Sequence, residues 1–203
     1  MRKEEAVRKH LEVFSAVAVI LTAIGWSSAG QCGPIFEERG ALMVGIQGQY
    51  GALAGDALAA DDFNNGAGYA LRLRYYLGES RALGFSMENQ RFEGNATITK
   101  QYPPKDMSVA VFTADYLFYF QRATTLSRYV TVGVGFHHPA RTYTDGTEVG
   151  PDGLVLTAGA GLEYFFHRVA SLDVCVKGYG LFGQGGLLGS GEAAVGLNFY
   201  LVE

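Results

Sequence analysis

The sequence predicts an all-β chain: an eight-stranded antiparallel up-and-down transmembrane β-barrel, preceded by an N-terminal signal peptide helix. Three observations predict it. Segment after segment alternates apolar with small or polar residues, which gives each strand one apolar face. The connections between segments alternate long and short. Aromatic residues collect at one end of the apolar faces. Composition agrees: charged residues make up only 18 %, while glycine, tyrosine and phenylalanine number 28, 12 and 13. A soluble surface carries more charge than that. The net charge of −4 argues against a nucleic-acid partner. Mean hydropathy near zero is unlike a bundle of membrane helices, but it suits a barrel whose every second residue is small or polar.

Residues 1–30 read as a secretory signal. Arg2, Lys3, Arg8 and Lys9 open it, residues 14–24 form an apolar core broken only by Ser15 and Thr22, and Ser27-Ser28-Ala29-Gly30 supply a small-residue cleavage region. The core is shorter than the ~20 residues of a membrane-spanning helix. Cleavage is expected after Ala29 or Gly30. Cys32 follows Gln31 rather than a small residue, so lipidation is not expected there. Residues 31–40 then form a short N-terminal segment, and 41–203 the barrel.

Eight strands follow in order. Residues 42–50 set Leu42, Val44, Ile46 and Tyr50 against Gly45, Gln47 and Gln49; 69–77 set Leu71, Leu73 and Tyr75 against Arg72, Arg74 and Tyr76. Residues 81–92 set Leu83, Phe85 and Met87 against Gly84, Ser86 and Glu88; 109–120 set Phe112, Tyr116, Phe118 and Phe120 against Val111, Thr113, Asp115 and Tyr119. Residues 129–137 set Val130, Val132, Val134 and Phe136 against Thr131, Gly133, Gly135 and His137. The clearest strand is 154–166, with Leu154, Leu156, Leu162, Tyr164 and Phe166 against Thr157, Gly159, Gly161 and Glu163. Residues 171–179 set Leu172, Val174 and Val176 against Asp173, Cys175 and Lys177; 193–201 set Val195, Leu197, Phe199 and Leu201 against Ala194, Asn198 and Tyr200.

The connections at 51–68, 94–107, 138–153 and 183–191 read as long loops, and those at 78–80, 121–128 and 167–170 as short turns. Membrane barrels sort their loops in this way, with short periplasmic turns and longer external loops. The even-numbered strands run toward the short-turn side, and their apolar faces end in Tyr75, Phe118, Phe120, Tyr164, Phe166 and Phe199, as an interfacial aromatic girdle requires.

On the signal, the eight alternating segments, the loop order and the girdle, the chain resembles the small outer-membrane β-barrels of the OmpA-transmembrane-domain, OmpX and opacity-protein type. The resemblance covers roughly 41–203 and is one of pattern. It implies the bacterial outer membrane as location, with outer-membrane lipids, lipopolysaccharide and the barrel-assembly machinery as partners. The terminal alternation of Val195, Leu197, Phe199 and Leu201 resembles the insertion signal of such barrels, although Val202-Glu203 extend past it.

The apolar face is expected to meet lipid, because the other face carries too little charge for a soluble exterior and suits a narrow interior. That interior then holds Arg72, Arg74 and Lys177 with Glu88, Asp115, Glu163 and Asp173, expected as a paired network, since unpaired buried charge is costly. Arg at Leu156 or Val132 is expected to be costly, whereas Ser at Thr157 should be nearly silent.

Catalysis is not expected. His137 and His138 lie at the outer end of the fifth strand near Asp145 and Glu148, but no serine is spaced to act beside them, and they read as solvated rim residues. They lack further ligands for a metal. Cys175 reads as a small interior filler, and no cofactor motif occurs. The expected role is structural or surface-interacting, through external loops whose ligand is unknown. A small-molecule-binding or narrow-pore transport barrel is the alternative, with a lipid-modifying barrel enzyme behind it.

Overall fold

The computed structural model describes residues 40–54, 63–95, 104–121, 125–143, 146–150, 152–183 and 186–201. The expected signal and the segment 31–39 lie outside them. Nine strands form: β1 (Leu42–Ala54), β2 (Phe63–Gly78), β3 (Arg81–Gly94), β4 (Pro104–Gln121), β5 (Leu126–Tyr143), β6 (Gly146–Val149), β7 (Gly153–His167), β8 (Ala170–Gly183) and β9 (Gly186–Leu201). Eight of them pair antiparallel, each with its neighbour in sequence, and β9 returns to β1 to close the barrel. The closing register runs from Leu42 opposite Leu201 to Ala54 opposite Gly189. Closure removes the exposed strand edges that an open sheet would leave without hydrogen-bond partners in lipid.

The alternation decides which face looks where. Ile46, Leu71, Phe85, Val132, Phe136, Leu156 and Leu197 all stand on the outside and are substantially exposed, Phe136 by 67 %. Their sequence neighbours Gln47, Ser86, Thr131, Thr157 and Asn198 are buried in the lumen, as is Arg74. A continuous apolar exterior over a polar interior is the inverse of a soluble barrel, and it matches a lipid-facing wall.

The strands run further than the sequence suggested. The eight barrel strands span from 13 residues in β1 to 18 in β4 and β5, where a tilted crossing needs roughly 9–11. The excess lies at the long-loop end, where β5 and the short β6 form a hairpin pairing Ala140 with Val149 and Tyr143 with Gly146. The expected loop 138–153 is therefore largely strand. The expected long loop at 183–191 is a correction of another kind. Gly183 pairs with Gly186 and only residues 184–185 connect β8 to β9. The glycines there read as loop composition, yet they continue the ladder from Gly178 opposite Gly191 onward.

The short-turn end is stitched by backbone bonds across the turns: Tyr119 N–H to Ser80 O at 2.8 Å, Phe165 N–H to Thr125 O at 2.8 Å and Tyr200 N–H to Val169 O at 2.9 Å. Inside the barrel the apolar side chains form two separate clusters. One surrounds Tyr76, Tyr119, Tyr129, Phe165 and Tyr200 toward the short turns. The other surrounds Phe92, Met107, Val109, Val155 and Leu181 toward the long loops.

Candidate functional site

The lumen is the candidate site, and two polar layers lie across it between the apolar clusters. Arg74 on β2 organises the first. Its Nη2 lies 3.1 Å from Asp173 Oδ2 on β8 and its Nη1 3.6 Å from Glu163 Oε2 on β7. The same guanidinium donates to the hydroxyls of Tyr119 at 3.0 Å and Tyr129 at 3.1 Å, and sits 4.7 Å from the centre of the Tyr129 ring. Arg72 Nη2 lies 2.9 Å from Asp173 Oδ1. Asp173 also accepts from Tyr129 OH at 2.9 Å and from Gln47 Nε2 at 3.1 Å. Glu163 accepts from Ser171 Oγ at 2.5 Å, Asn198 Nδ2 at 2.8 Å and Tyr200 OH. This layer draws side chains from every barrel strand except β3, and its two arginines balance its two carboxylates. Such dense pairing is what a fully buried charge requires, since Glu163 and Asp173 are 0 % exposed.

Small residues on the inner face make room for the long ones. A Cβ at Gly161 would stand 2.4 Å from Tyr129 Cζ, so the ring that reaches Asp173 lies across a strand position with no side chain. A Cβ at Gly133 would stand 2.1 Å from Asp115 Oδ1. The glycines of the β5 and β7 segments are thus spaces for the network as well as strand residues.

The second layer lies nearer the long loops. Lys177 Nζ is 2.9 Å from Glu88 Oε1 and 3.6 Å from Asp115 Oδ2. Asp115 accepts from Thr113 Oγ1 and Thr157 Oγ1, both at 2.9 Å, and Glu88 from Ser86 Oγ at 2.8 Å and Tyr179 OH at 2.6 Å. The Tyr179 hydroxyl also reaches Glu192 Oε1. Here three carboxylates, Glu88, Asp115 and Glu192, face one lysine.

The seven lumen residues expected from the sequence fall into these two groups: Arg72, Arg74, Glu163 and Asp173 in one, Glu88, Asp115 and Lys177 in the other. The aromatic residues Tyr75, Phe118, Phe120, Phe166 and Phe199 stand exposed on the outer wall at the short-turn end, and Tyr164 is half-buried there. Phe118 and Phe120 meet edge to face, 5.2 Å between centres.

Sequence reasoning placed Tyr76, Tyr119 and Tyr200 on the inner face but did not foresee the floor they form. Tyr76, Tyr119, Phe165 and Tyr200 immediately adjoin the outer ones in sequence and point inward, forming a floor with Tyr129 whose ring centres lie 5.3–5.9 Å apart. Consecutive strand residues face opposite ways, so each aromatic pair supplies one ring to the exterior and one to the floor. Glu192, Gln47 and Asn198 were also missed as network members. Within their strands Gln47 shares the face of Gly45 and Gln49, and Glu192 and Asn198 share that of Ala194, and this parity was the available signal. The interior is not polar throughout either: the apolar cluster at the long-loop end fills it with Phe92, Met107, Val109, Val155 and Leu181.

His137 requires a correction. It is buried on the inner face of β5, its Nε2 3.3 Å from Phe182 O, and not a solvated rim residue. Only His138 is exposed at the rim, with Nδ1 2.5 Å from Asp152 Oδ1. The strand continues beyond His137, which places it inside rather than at an end. Asp145 lies outside the described residues. Cys175 is buried on the inner face, 3.6 Å from Gln47 Nε2. Among the described residues no group of three or more histidine, cysteine or acidic side chains is placed to hold a metal.

No protein-family model matches the sequence, and no curated protein matches it. Solved structures do match. Neisserial surface protein A superposes with a TM-score of 0.59 at 13 % identity, over 79 % of this chain and 99 % of that one. Ail, the attachment invasion locus protein of Yersinia pestis, solved with the heparin analogue sucrose octasulfate, gives 0.56 at 18 %, over 81 % and 100 %. The outer membrane protein OprG of Pseudomonas aeruginosa gives 0.55 at 11 %, over 85 % and 99 %. The chain has the fold of the small eight-stranded outer-membrane β-barrels. At these identities the likeness is one of fold, and it accords with the apolar wall, the closed sheet and the filled lumen.

Proposed function

We propose that this bacterial outer-membrane barrel serves a structural and surface-interaction role, with the lumen closed as a plug and the long-loop end presented for contact. One observation supports the plug most directly. The layer built on Arg74, Asp173 and Glu163 ties side chains from seven strands across the lumen, and the aromatic floor lies beneath it. Eight-stranded barrels leave an interior just wide enough for side chains to fill. Surface contact is supported by strands that outrun the membrane at the loop end, above all β4, β5 and the β6 hairpin. Ail's structure with a heparin analogue shows a barrel of similar fold solved with a ligand, and it motivates a search among polyanionic or lipopolysaccharide ligands here.

Planar-bilayer recording of the purified protein tests the plug. No steady current is expected; a stable, salt-dependent conductance would overturn it.

A further inference from the structure

We propose that the short-turn end of the outer wall is a docking surface for anionic phospholipid of the periplasmic leaflet. Arg81, Arg128 and Arg168 hold the headgroup phosphate, and the acyl chains lie along the aromatic girdle. This surface is independent of the plug and of the long-loop end, so neither reading depends on the other.

Strand parity and register bring the three arginines to one arc of the wall. Arg81 opens β3 on the outward face of Leu83 and Phe85, opposite Phe118 of β4. Arg128 stands on the outward face of β5 with Val130 and Val132, opposite Leu162 of β7. Arg168 lies in the turn from β7 to β8. The strands β3, β4, β5, β7 and β8 are successive neighbours around the barrel. Phe118, Phe120 and Phe166 stand exposed on the same arc.

Charge sets this end apart. All three arginines are exposed, and their guanidinium groups have no ion-pair or hydrogen-bond partner among the described residues. Among the described residues of the short turns Glu79 is the one carboxylate, so positive charge is in excess. At the long-loop end the basic residues of the outward face are matched: Arg91 Nη2 lies 2.7 Å from Asp106 Oδ2 and His138 Nδ1 2.5 Å from Asp152 Oδ1. Exposed Glu93 adds a further carboxylate there, and Lys105 stands at a bulge in β4. A guanidinium presents paired N–H groups that fit two phosphate oxygens, and anionic headgroups draw basic residues to the bilayer surface. A zwitterionic headgroup carries the same phosphate with a cancelling ammonium, so net charge favours the anionic lipid. The adjoining rings give acyl chains apolar surface to cover, which a free phosphate ion could not use.

The test places the folded barrel in phosphatidylcholine vesicles containing spin-labelled phosphatidylglycerol or spin-labelled phosphatidylcholine. Electron paramagnetic resonance reads the fraction of each lipid held at the wall. Phosphatidylglycerol is expected to associate about threefold more strongly or better at low salt, with the preference shrinking as salt is added. The triple variant Arg81→Gln, Arg128→Gln, Arg168→Gln, shown folded by heat-modifiable migration, should lose the preference, and Arg91→Gln should keep it. Equal association of the two lipids with the native barrel, or a preference indifferent to salt, would overturn the proposal with no variant needed. A preference that survives in the triple variant would take the anionic site away from these turns. One lost equally in Arg91→Gln would deny the short-turn end its distinction. Inorganic phosphate should compete no better than chloride at matched ionic strength; if it alone abolishes the preference, the arginines hold free phosphate and the lipid assignment fails.

Discussion

The two halves of the lumen solve the same packing problem differently. Toward the short turns, two arginines and two carboxylates are interlocked by tyrosine, serine, glutamine and asparagine side chains above a floor of rings. Toward the long loops, three carboxylates share one lysine beneath apolar residues. Buried polar atoms without a partner occur in both halves, Arg72 Nε, Ser127 Oγ and Asn198 Oδ1 below and Gln49 Oε1, Gln90 Nε2 and Glu192 Oε2 above, so the contrast lies in charge: balanced below, with carboxylates in excess above. The balanced layer, drawn from seven strands, is the one that ties the barrel together.

The strongest way to break that contrast is Asp173→Ala. It strips both Arg72 and Arg74 of their shared carboxylate, and removing one partner from a buried ion pair typically costs about 3–5 kcal/mol. Urea titration of the protein in lipid vesicles, read by circular dichroism, measures it. A loss below about 1 kcal/mol would mean that the lower network carries no such load.

Next comes the wall. Leu156 is 47 % exposed on the outside of β7, so Leu156→Arg should cost about 2–4 kcal/mol near mid-membrane. At its inward neighbour, Thr157→Ser keeps the hydroxyl that donates to Asp115 and should be nearly silent. Equal costs at the two positions would reverse the assignment of inside and outside.

Much of this was legible in the sequence, for a physical reason. Period-2 alternation is a local property, so Leu156 and Thr157 declare opposite faces without knowledge of any other strand. The charged residues of the lumen were legible for the same reason. Which of them pair was not, because Arg74 meets Asp173 only through the register around the closed barrel. Tyr129 shows the limit well: it stands at the start of a predicted strand, and only the empty space at Gly161, directly opposite it on β7, reveals that it reaches the centre. The upper apolar cluster was hidden because Val109 and Val111 look like any strand residues until burial shows which way they face.

Tyr129→Phe sharpens the comparison at intermediate scale. The ring keeps its place against Gly161 while the hydroxyl that accepts from Arg74 and donates to Asp173 is lost. Hydrogen bonds to charged groups contribute about 1.5–3 kcal/mol, and a loss of that size is expected in the same titration. A silent substitution would show that the ion pairs alone suffice.

The smallest effect is the most discriminating. Glu163 and Glu192 are both buried glutamates on the inner wall, one in each half, and Glu→Gln is the same change at both. Glu163 accepts from Ser171, Asn198 and Tyr200 and faces Arg74, so Glu163→Gln replaces a fully used acceptor and should cost about 1.5–3 kcal/mol. Glu192 has one shared hydroxyl and an unpartnered oxygen. Its carboxyl is the third beside a single lysine, so an amide there removes no paired charge and alters little beyond the bond with Tyr179. Glu192→Gln should therefore change stability by less than about 1 kcal/mol, in either direction. Should it cost as much as Glu163→Gln, the upper carboxylate is as well paired in lipid as the lower one, and the contrast between the two halves disappears.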